Sequence, residues 1–64
     1  MKRYKVREII RMLESEGWSM TRQKGSHRQF KHSIIRGTVT VNGKPSDVLG
    51  QEILNSIFKQ AGWK

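Results

Sequence analysis

The chain has 64 residues, with thirteen Lys and Arg against five Asp and Glu, no cysteine, a formal charge of +8 and a pI near 10.7. A chain this short buries only about 60% of the surface its unfolded form exposes, which leaves room for one thin two-layer core and a single domain, 1–64. Without cysteine there is no disulfide framework, thiolate nucleophile or zinc ribbon, and no apolar run approaches the roughly 20 residues of a membrane span. The charged N-terminus lacks the apolar stretch of a signal peptide, so the chain is expected to be soluble, unprocessed, cytoplasmic and monomeric when free. So dense a positive charge favours a polyanion, of which nucleic acid is the commonest. A membrane surface fits less well, because the basic residues are spread over every segment and not gathered on one helix opposite a wide apolar face.

Lys5 to Glu16 reads as the first helix. Val6, Ile9, Ile10 and Leu13 fall at i, i+3, i+4 and i+7 on one stripe, with Arg7, Arg11 and Glu14 opposite. No good N-cap is visible at Tyr4 or Lys5. Gly17 suits the left-handed position that ends a helix, and Trp18 after it can pack back on Leu13. Gly62, Trp63 and Phe58 repeat that arrangement at the far end, which gives both tryptophans a structural task.

From Trp18 to Val41 the period becomes two. Trp18, Met20 and Arg22 alternate with Ser19, Thr21 and Gln23 in a half-buried strand, and Lys24-Gly25-Ser26 is the turn. A second strand runs from His27 to His32 around Phe30. Ser33 to Gly37 turns again, with Ile34 and Ile35 at its edges or exposed, and Thr38 to Val41 is a β-branched third strand. Short connections imply an antiparallel meander. Asn42 to Ser46 is a loop, and Gln51 to Ala61 is a second helix with Ile53, Leu54, Ile57, Phe58 and Ala61 on one face. Ser46 or Asp47 can cap that helix. The expected fold class is α+β, in the order α-β-β-β-α, with two helices on one face of a three-stranded antiparallel sheet.

Strand parity separates the two histidines. Phe30 must face the helices as the one large apolar residue of its strand, and His27 lies an odd number of positions away, on the opposite face with Gln29 and Lys31. Thr38 and Thr40 join that face if Val39 and Val41 point inward. His32 shares the parity of Phe30 and is expected to be structural. A bulge at the turn would overturn this reading.

Histidines on opposite faces cannot share an ion, and no cysteine or carboxylate pair completes a shell, so no metal or other cofactor is expected. The five acids are scattered over the helices and a loop, which leaves no paired-carboxylate mechanism and no acid near His27 for a serine hydrolase triad. Ser26 serves the turn better than it serves as a nucleophile. A lone histidine in a basic field suits RNA, which carries its own nucleophile in the 2′-hydroxyl. The protein need only remove a proton, here with His27 as catalytic base, and stabilise charge on phosphorus. Arg22, Lys24, Ser26, Arg28 and Lys31 are the RNA-binding candidates. Lys24, His32 and water remain open as the general acid. A non-catalytic RNA-binding domain, or a surface that meets an acidic protein, would use the same residues.

These residues also carry a family resemblance. Arg7-Glu8-Ile9-Ile10, Gly17-Trp18, Arg22 through His27 with Phe30-Lys31-His32, Gly37-x-Val39-Thr40-Val41, and Leu54 through Gly62 resemble the HicA toxins, the YcfA-like mRNA interferases of HicA–HicB toxin–antitoxin systems. The pieces span nearly the whole chain in the right order. The resemblance implies a double-stranded-RNA-binding-domain-like fold, catalysis by the histidine of the Gly-Ser-His motif (here His27), metal-independent cleavage of mRNA, and neutralisation by a HicB-type antitoxin. Two departures concern loop geometry and helix start: Ser33 stands where members often have proline, and Gln51-Glu52-Ile53 where many have Pro-Gly-Thr. The second helix lacks the clustered lysines with which ordinary duplex-binding domains grip phosphates.

Overall fold

Apolar stripes at helical spacing flank three alternating segments, and each folds accordingly. A computed structural model describes residues 3–63 of the chain. Helix α1 (Val6–Ser15) leads into strands β1 (Trp18–Lys24), β2 (His27–His32) and β3 (Thr38–Val41), and helix α2 (Gln51–Ala61) comes last. The strands form one antiparallel sheet with β2 in the centre. Helix α1 packs beside β1 and α2 beside β3. Val6, Ile9 and Leu13 of α1, Trp18, Phe30, Val39 and Val41 of the sheet, and Leu54, Ile57 and Ala61 of α2 meet in one buried core. Burial of this apolar surface is the main force holding so small a chain together.

Two details differ from expectation. Ile53 is 51% exposed and lies off the buried face of α2, which Leu54, Ile57 and Ala61 define. Neither Ser46 nor Asp47 caps α2; Gly50 holds that position, and its carbonyl accepts from the Leu54 N–H at 3.0 Å. The cause is an extended segment ahead of the helix. Val48 bridges Lys5, and the Leu49 N–H donates to the Tyr4 carbonyl at 2.9 Å, which buries Leu49 as a core residue.

Asp47 works at the other helix. Its carbonyl accepts from the Val6 N–H at 2.9 Å and the Pro45 carbonyl from the Arg7 N–H at 3.1 Å, so loop backbone satisfies donors that the first turn of α1 leaves free. Glu8 Oε1 accepts from the Lys5 N–H at 2.8 Å, closing the helix start without a side-chain cap at Lys5 itself.

Both helix ends follow the expected glycine pattern. Gly62 has φ +76°, the Trp63 N–H donates to the Phe58 carbonyl at 2.9 Å, and the two rings meet edge to face with centroids 5.4 Å apart. Gly17 has φ +95°, and a Cβ there would sit 2.8 Å from His32 Nε2. A left-handed conformation costs an ordinary residue roughly 1–2 kcal/mol, and the close approach to a ring that cannot swing aside adds to it. Gly17→Ala should therefore lower unfolding free energy by about 2 kcal/mol or more in urea titration, whereas Gly50→Ala, with negative φ and open space at the added Cβ, should change it by less than about 1 kcal/mol.

Candidate RNA-cleavage site

The strands contain no acidic residue, so every charge they carry is positive or histidine. Which of these charges share a face depends on register. Along β1–β2, Trp18 pairs with His32, Ser19 with Lys31 and Met20 with Phe30; beyond Met20 the register shifts, and Arg22 pairs with Gln29, Gln23 with Arg28 and Lys24 with His27. Thr21 is the extra residue of a β-bulge, with its Oγ1 donating to the Gln29 carbonyl at 3.4 Å.

The bulge corrects the uninterrupted alternation expected of this strand. Trp18 is buried and Met20, opposite Phe30, shares its side though it is 47% exposed, so Trp18 is the strand's only buried residue; Arg22 no longer shares that side. One extra residue reverses parity, so Arg22 and Lys24 join the open face across from Gln29 and His27. The bulge lies in β1, leaving β2 regular: His27, Gln29 and Lys31 are exposed, Phe30 is buried, and Arg28 and His32 are half-buried on its side. Thr38 and Thr40 extend the open face on β3, paired with Lys31 and Gln29.

Arg22, Lys24, Gly25, Ser26, His27 and Gln29 together line an open concavity of about 750 Å³ at the hairpin end. Lys24 and His27 are the closing cross-strand pair of β1 and β2, a position at which Cβ atoms lie about 4.5–5.5 Å apart. The Gly25-Ser26 turn between them has φ +59° at Gly25 and no positive φ at Ser26, the sign pattern of a type II′ turn whose twist suits a hairpin. Lys31 shares the face but stands four residues along the strand, about 13 Å from His27.

Arg28 is the sequence candidate that the structure does not bring to this face. Its position opposite Val41 turns it to the core side, where Nη1 donates to the carbonyls of Gly43 at 2.8 Å and Ser26 at 3.3 Å. Nothing in the sequence names Gly43 as its partner.

His32 is equally committed. Its Nδ1 accepts from the N–H groups of Ile34 and Ile35 at 3.0 and 3.2 Å, which leaves the proton on Nε2, 2.9 Å from the Glu16 carbonyl that it supplies. The ring also meets Trp18 edge to face, with centroids 5.3 Å apart. One imidazole thus closes the end of α1 and orders the turn after β2, on the side of the sheet away from His27. That removes His32 from the candidates for general acid. Among the described residues, no three His, Cys, Asp or Glu side chains come together.

His32→Ala leaves three backbone groups without their partner. At about 1 kcal/mol for each hydrogen bond it should cost roughly 2–3 kcal/mol in urea unfolding, while His27→Ala, at an exposed position, should stay within about 0.5 kcal/mol of the parent.

Comparison with known proteins bears on the chain as a whole. No curated protein matches it. A family model, described as the HicA toxin of bacterial toxin–antitoxin systems, matches residues 6–63. That span contains both helices, all three strands, the bulge and the His27 hairpin, and the chain belongs to the HicA toxin family.

Proposed function

We propose that this toxin is a metal-independent endoribonuclease that cleaves mRNA with His27 as its catalytic base. The observation that carries the reading is the grouping of His27 with Arg22 and Lys24 around one concavity, on a sheet face without an acidic residue. An exposed imidazole can reach a ribose 2′-hydroxyl with little rearrangement, and guanidinium and ammonium groups beside it can hold the adjacent phosphate.

In the reaction so assembled, the His27 imidazole takes the 2′-hydroxyl proton. The 2′-oxygen attacks the neighbouring phosphorus, and the bond to the 5′-oxygen breaks. Lys24, directly opposite His27, or water returns a proton to that leaving oxygen. The products are a 2′,3′-cyclic phosphate and a 5′-hydroxyl end. Arg22 and Lys24 offset the charge that builds on the phosphoryl oxygens, and such preorganised donors contribute most where charge develops. Lys31, farther along the strand, meets a phosphate away from the scissile one. Ser26 contributes a hydroxyl at the rim.

The aromatic residues of the strands, Trp18 and Phe30, are both buried on the core side. Apart from the His27 imidazole itself, the open face therefore offers phosphate and ribose contacts and no aromatic platform for bases, which favours recognition through the sugar–phosphate backbone. No helix among the described residues is long and apolar enough to cross a membrane. Membership of the family implies a HicB-type antitoxin as partner. In this reading it neutralises the toxin by covering the same basic face.

Two experiments test the assignment. Purified protein in EDTA should cleave single-stranded RNA, leave a 2′-deoxy or 2′-O-methyl analogue bound but uncut, and lose at least about 100-fold in rate on His27→Ala. Cleavage that survives the substitution would end the role given to His27, and binding without cleavage by either protein would make this an RNA-binding module. Arg22→Gln should remove this cation from the concavity while leaving the pairing of β1 with β2 unchanged. Titration with single-stranded RNA should then show a salt slope shallower by about 0.7 for each phosphate no longer neutralised. An unchanged slope would contradict the part assigned to Arg22.

A further inference from the structure

The turn that carries His27 owes little to the hydrophobic core. Lys24, Gly25, Ser26 and His27 are all exposed, and none of their side chains belongs to the buried cluster. A glycine-containing hairpin tip of this kind opens easily unless hydrogen bonds tie it down. Gln23 Nε2 donates to the Gly25 carbonyl at 3.1 Å within the hairpin, and the ties to the rest of the fold meet at the Ser26 carbonyl and Arg28.

Arg28 Nη1 donates to the Gly43 carbonyl at 2.8 Å and to the Ser26 carbonyl at 3.3 Å, and the Gly43 N–H donates to the same Ser26 carbonyl at 3.3 Å. The partner loop is itself firmly held. The Lys44 N–H donates to Asp47 Oδ2 and the Asp47 N–H to the Lys44 carbonyl, both at 2.9 Å, while Asp47 and Pro45 carbonyls cap α1. Gly43, at φ +110°, lies so close to this packing that a Cβ would meet Asp47 Oδ2 at 3.1 Å and Val6 Cγ2 at 3.3 Å. A continuous path of bonds thus runs from the start of α1 through the 43–47 loop and Arg28 to the carbonyl immediately before His27.

We infer that Arg28 is a positioning residue: it clamps the Gly25–His27 turn to the 43–47 loop and so sets where the His27 imidazole stands, without gripping the substrate itself. The catalytic consequence rests on the endoribonuclease reading above; the clamp is a separate physical claim. Charge-assisted bonds to carbonyls are stronger than neutral ones, and both here come from one guanidinium nitrogen, Nη1. A displacement of the base by about 1 Å is enough to cost on the order of 100-fold in rate.

The test is Arg28→Met, which keeps a long side chain and removes the donors. It should lower kcat about 10- to 100-fold on a single-stranded RNA oligonucleotide, with KM and the salt slope of binding unchanged. In the same protein, hydrogen exchange of the Gly43 amide should quicken at least about 10-fold, while amides of the β2–β3 ladder exchange as in the parent. Lys31→Ala, a change at a proposed phosphate contact, should do the reverse, raising KM and lowering the salt slope with kcat held. A raised KM and shallower slope for Arg28→Met would mark it as a phosphate ligand and overturn the proposal, and so would an unchanged kcat or an unchanged Gly43 exchange rate. If the parent protein cleaves no RNA, the endoribonuclease reading fails, and the exchange measurement alone still decides the clamp.

Discussion

A single extra residue in an edge strand decides what the open face of this protein can do. Thr21 is inserted into β1 without a partner in β2, and side chains beyond it change sides. A regular strand would have carried Arg22 and Lys24 toward the core, where neither has a counter-ion in the strands and both would have been costly to bury. With the bulge, the core keeps Trp18 opposite His32 and Phe30 at its centre, and the cations stand beside His27. Core packing and site assembly place conflicting demands on β1, and the bulge satisfies both.

The face turned to the helices uses its polar residues in a different way. Arg28 and His32 share the parity of Phe30 and flank it along β2. Neither lies in an apolar hole; each supplies backbone groups at one end of the strand. His32 serves the end of α1 and the turn after β2, and Arg28 serves the hairpin turn and the 43–47 loop. A domain this thin has polar backbone close to its core at every edge, and long side chains that keep a polar tip near the rim are the available donors. Two residues that by composition look like functional groups are thereby committed to holding the frame.

Much of this was legible in the chain itself. The stripe Val6, Ile9, Leu13, the β-branched run Thr38–Val41 and the glycine-tryptophan pairs at both helix ends declare their structures because each signal is local. The opposite orientations of His27 and His32 were also readable, since parity within β2 needs only one anchored residue, Phe30. Arg28 could have been placed by the same count, which puts it on the side of Phe30. Its partner could not, because Gly43 is fifteen residues away and offers only a carbonyl. The Gly50 cap was hidden for a related reason: the extended run before α2 exists to pair with Tyr4 and Lys5, at the other end of the chain.

The order of the elements, their ends, the composition of the core and the identity of the exposed histidine are dictated by local pattern in the chain. They rest on periodicity, on glycine's access to positive φ and on the alternation of side chains along a strand. Tertiary pairing settles which cations stand with that histidine and which are bound up in the frame. A bulge is a property of two strands in register, and nothing in Met20-Thr21-Arg22 announces which residue its partner will skip. The grouping of Arg22, Lys24 and His27, and the commitment of Arg28 to the 43–47 loop, arise only when distant segments pair, because hydrogen-bond register and backbone acceptors belong to the assembled sheet and loop and not to any one segment.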